Sequence, residues 1–67
     1  MSADEILQEA RKLHTVSERL GMLAQRDPAV AEGLTILARA VRNSATLLEV
    51  MVELKLTQEQ DVEKTSN

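Results

Sequence analysis

Apolar residues recur every three or four positions through most of the chain. Ile6, Leu7, Ala10, Leu13, Val16, Leu20 and Leu23 make the first such stripe. This spacing follows one face of an α-helix and not the alternation of a strand. Ser2 stands three residues before Glu5, the form of a capping box, and Asp4 and Glu5 suit the positive end of a helix dipole. The pattern predicts helix 1 over about residues 3–25, about 35 Å long at 1.5 Å per residue. Gly21 is its weak point, but Leu23 continues the stripe beyond it.

The chain is punctuated at Arg26-Asp27-Pro28. Pro28 disfavours helical geometry at Asp27, so helix 1 should stop there. Pro28 also suits the first position of a new helix, with Asp27 as its cap. Helix 2 is expected from about 28 to 57. In heptads its columns read Leu34, Val41, Leu48 and then Val30, Leu37, Ser44, Met51. Gly33, Ala40, Leu47 and Leu54 flank one side, and Ala31, Ala38, Ala45 and Val52 the other. Glu32, Arg39, Thr46, Glu53 and Thr35, Arg42, Glu49 are the polar columns. A two-column seam of coiled-coil type serves one partner helix, and four apolar columns need more than one. The segment 58–67 has Val62 as its one aliphatic residue and is expected to be a polar, frayed or disordered tail.

Two helices joined by a short turn lie antiparallel. With the turn centred near residue 27, Leu20 faces Leu34, Leu13 faces Val41 and Ile6 faces Leu48. The same register sets Ala10 against Ser44 and Ser17 against Leu37. The fold expected is an all-α, antiparallel two-helix hairpin. Helix 1 shields only part of helix 2, and a two-helix chain rarely builds a sufficient core alone. The expectation is therefore a homodimer forming a four-helix bundle. Leu34, Leu37, Val41, Leu48 and Met51 are its expected core. Ala38, Ala45, Val52 and Leu54 join them as expected oligomer-interface residues, the alanine column permitting close helix–helix approach.

Composition narrows the chemistry. The 67 residues include no Cys and no aromatic residue, which excludes disulfides, thiolate metal sites and the stacking of bases on rings. The net charge of −3 does not suit a nucleic-acid surface. No stretch approaches the roughly 20 apolar residues of a membrane span, and the acidic N-terminus does not read as a signal peptide, so a cytoplasmic protein is expected. No phosphate loop, zinc spacing or nucleophile motif is present.

Individual residues offer little more. His14 and Glu18, one turn apart, are too few for a zinc site, and His14 reads as a half-buried, hydrogen-bonded boundary residue. Asp4, Glu5, Glu9 and Glu18 alternate with Arg11, Lys12 and Arg19 as a solvated face would. Met22 and Met51 read as gap fillers. Ser44 either sets register at a core position or bonds the carbonyl one turn back. Asn43 shares a column with Ile36 and Val50 and could meet its symmetry mate. Arg39 and Arg42 look underpaired on their own helix and are candidate partner contacts. No catalytic residue, cofactor or metal site is expected. The function expected is a non-enzymatic protein–protein interaction module. The alternative is a small dimeric nucleic-acid-binding regulator of the ROP-like architectural type, an analogy of gross plan without a shared motif.

Overall fold

The computed structural model describes the backbone of residues 2–65 and the side chains of residues 2–57. Two helices, α1 (Ala3–Arg26) and α2 (Ala31–Thr65), pack against each other as a hairpin. Ser2 caps α1 as its sequence suggests. Its hydroxyl oxygen accepts from the Glu5 backbone N–H at 3.2 Å and donates to the Glu5 carboxylate at 3.1 Å. The helix passes straight through Gly21, where an added methyl group would meet nothing within 4 Å.

Asp27 serves both helices. Its backbone N–H donates to the Leu23 carbonyl and ends α1, while its carboxylate accepts from the Ala29 N–H at 3.1 Å. Helix 2 was expected from Pro28, but residues 28–30 form a turn first. Val30 and Ala31 donate to the carbonyls three residues back, Asp27 and Pro28, and the four-residue helical spacing begins with Leu34 donating to Val30. At the other end α2 runs on to Thr65 instead of stopping near Thr57. No Pro or Gly follows Gly33, and Gln, Glu and Lys hold helical geometry well. The side chains of 58–67, and Ser66 and Asn67 altogether, lie outside the described residues.

The seam between the helices is built from small residues. Ala10, Ser17 and Ala24 of α1 are buried, as are Ala38, Ala45 and Val52 of α2. Each set recurs every seven residues, the period of a left-handed supercoiled pair. The Ser17 hydroxyl, 2% exposed, donates to the Ala38 carbonyl oxygen at 2.7 Å. That bond requires α1 to lie close to the backbone of α2, which only small side chains on both sides allow.

This register corrects two of the expected facings. Ser17 lies against Ala38, not Leu37, and Leu37 is 55% exposed. Ser44 does not pack beside Ala10. It is exposed, and its hydroxyl donates to the Ala40 carbonyl one turn back. The larger residues Ile6, Leu13, Leu20, Leu34, Val41 and Leu48 flank the small-residue seam and are only half-buried. Met51, expected in the core of the bundle, is 60% exposed on the single hairpin. The physical reason is distance: alanine and serine bring the helices so close that no leucine fits between them.

Candidate interaction surfaces

Helical geometry orders the columns around each axis. Passing round α2 from the seam, the Leu34 column comes first, then Val30, then Gly33, then Ile36. On α1 the Ile6 column comes first and then Ser2, Glu9, Val16 and Leu23. In an antiparallel pair both Ile6 and Leu34 columns lie on the same side of the hairpin, which their shared half-burial matches. That side is a broad apolar face. Its outer parts, Val16, Leu23, Val30, Leu37 and Met51, are between 43% and 60% exposed. Around the edge of α2 the apolar surface continues through Ile36, Leu47, Val50 and Leu54, all exposed. Asn43 sits on this outer edge, exposed, in the column of Ile36 and Val50.

The opposite side is polar. His14 and Glu49 meet across the helices, with Nε2 and Oε1 2.6 Å apart and both side chains partly open to solvent. His14 is thus the half-buried, hydrogen-bonded residue the sequence suggests, and its partner is Glu49. Beside it an open groove of about 500 Å³ runs over Ser17, Gly21 and Ala38, where the small seam residues leave space. Arg39 and Arg42 line this groove together with Glu18. The ion pairs among the described residues are Lys12–Glu9 and His14–Glu49, so neither arginine has a carboxylate within 4.0 Å.

The residues singled out from the sequence therefore fall in three places. Ala38, Ala45 and Val52 are buried in the seam of the hairpin, with Ala38 also at the floor of the groove. Leu34, Leu37, Val41, Leu48 and Met51 line the apolar face, half-buried or exposed, and Leu54 lies on the outer edge of α2. Arg39 and Arg42 are on the polar side. Sequence reasoning missed the Ser17–Ala38 bond and the His14–Glu49 pair. Ala10, Ser17 and Ala24 already formed a small-residue heptad column matching that of Ala31, Ala38 and Ala45, so the first was readable. The second needs the register to be known to within one residue.

Among the described residues no group of three or more His, Asp or Glu side chains is placed to hold a metal ion, and no helix is long and apolar enough to cross a membrane. Comparison with protein-family models, curated proteins and solved structures found no match.

Proposed function

We propose that this protein is a non-enzymatic interaction module, a hairpin that associates with a second copy through its apolar face to give a four-helix bundle. One observation carries the reading. Among the described residues no Leu, Ile or Met is buried, and the buried side chains are alanines, Ser17 and Val52. A hairpin closed by alanines buries little apolar area, and burial of such area is the main favourable term in folding. The leucines whose burial would stabilise the chain are on its outside. A second copy laid on the apolar face would put Ile6, Leu13, Leu20, Leu34, Val41 and Leu48 in the centre of four helices. The outer edge of α2, with Ile36, Leu47, Val50 and Leu54, would stay uncovered. That edge is the helical surface offered to a partner protein.

The test is Val41→Asp. Val41 lies on the apolar face at mid-helix, and a carboxylate there would be desolvated by the second copy. Mass in solution should fall to one chain, and helicity by circular dichroism should fall with it. A variant that remains a compact, fully helical monomer would show that the hairpin is stable alone and that the core is assigned wrongly.

A further inference from the structure

The apolar face differs along its length, and the difference gives it a direction. Its two central columns, Ile6, Leu13, Leu20 and Leu34, Val41, Leu48, are apolar at every level and favour neither orientation of a second copy. The two flanking columns are not uniform. On α1 the column reads Ser2, Glu9, Val16, Leu23, polar at the open end and apolar toward the turn. On α2 it reads Val30, Leu37, Ser44, Met51, apolar at the turn and broken by a hydroxyl further on. The Ser17–Ala38 bond sets the levels of the two helices, and by it Glu9 and Ser44 lie within about 3 Å of each other along the hairpin.

Two stackings bury the face and leave every neighbouring helix pair antiparallel. With the turns at opposite ends, α1 packs on α1 and α2 on α2. Leu23 then falls toward the partner's Ser2 end, and Leu37 toward the partner's Ser44. With the turns at the same end, α1 of each chain packs on α2 of the other at equal levels. Leu23 then falls beside the partner's Val30, Val16 beside the partner's Leu37, and Glu9 beside the partner's Ser44. Apolar meets apolar at those two levels. The one carboxylate on the face, which Lys12 already holds at 3.0 Å, meets a hydroxyl that can donate to it by turning from the Ala40 carbonyl. Ser2, bonded to Glu5, falls beside the partner's Met51. In the first stacking Leu23 and Leu37 fall against polar positions of the partner instead, and Glu9 and Ser44 lose water without gaining a bond between chains, which disfavours it.

We infer that two copies dock face to face with their turns at the same end, α1 of each against α2 of the other, and that Glu9 of one chain bonds Ser44 of its partner. This rests on the self-association proposed above, and the experiment separates the two. The chain has no cysteine, so Ala29→Cys gives a single labelling site, in the exposed turn and away from both faces. Spin labels there report the distance between turns by dipolar spectroscopy. Turns at the same end are separated by about 20 Å or less, the width of a bundle with neighbouring axes 8–10 Å apart. Turns at opposite ends are separated by about 36 Å or more, the length of α1 at 1.5 Å per residue. The short distance is the result expected. The long distance overturns the orientation and leaves self-association standing. The absence of any dipolar coupling at millimolar protein overturns the association itself.

Discussion

Ser17 is the residue on which the hairpin's geometry turns. It is the one buried polar side chain among the described residues, and its hydroxyl is satisfied by the Ala38 carbonyl. Ser17→Ala keeps the volume that lets the helices approach and loses one hydrogen bond, so it should cost about 1 kcal/mol in a thermal or urea melt. Ser17→Leu should do far more, because a large side chain at the point of closest approach forces the helices apart. A melt in which the leucine variant is as stable as the alanine variant would mean the seam is not close-packed at that level. Arg39 and Arg42, by contrast, have no carboxylate within 4.0 Å among the described residues.

The two elements differ in what they leave uncovered. The exposed columns of α1 beyond the apolar face are largely polar, whereas α2 carries apolar residues from its seam right round to Ile36. Two exposed leucines of α2 therefore separate the surfaces. Leu37→Glu, on the apolar face, should convert an associated protein to single chains. Leu47→Glu, on the outer edge, should leave the mass unchanged, because that edge is not covered by the second copy. Sedimentation of the two variants side by side checks this, and loss of association in both would place the outer edge in the self-associating surface. The helices themselves were legible from the sequence, since Ser2, Glu5 and Asp27 cap and punctuate them and the stripe spacing leaves no other reading. Which columns close the hairpin was harder to read. Pairing the largest residues satisfies the hydrophobic pattern as well as pairing the alanines does, and the two registers differ by a single residue. The Ser17 hydroxyl and the short reach of alanine decide between them, and both act through three-dimensional distance.

At the scale of the whole molecule the hairpin is long and thin, with extents of 60 × 17 × 13 Å. Such a shape has much surface for its volume and cannot enclose its leucines. The candidate surfaces follow from that shortage of interior more than from any single side chain. The apolar face was legible in the sequence as an excess of apolar columns on helix 2. Its exact membership was not, because Ala38, Ala45 and Val52 belong to the same arc of α2 yet are buried within the chain. Everything at this scale turns on whether a second copy covers the face. Light scattering after size exclusion, with refractive-index detection because no aromatic residue absorbs, measures this directly over a wide concentration range. A constant mass of two chains is the result predicted. A well-folded, fully helical single chain at every concentration would contradict it.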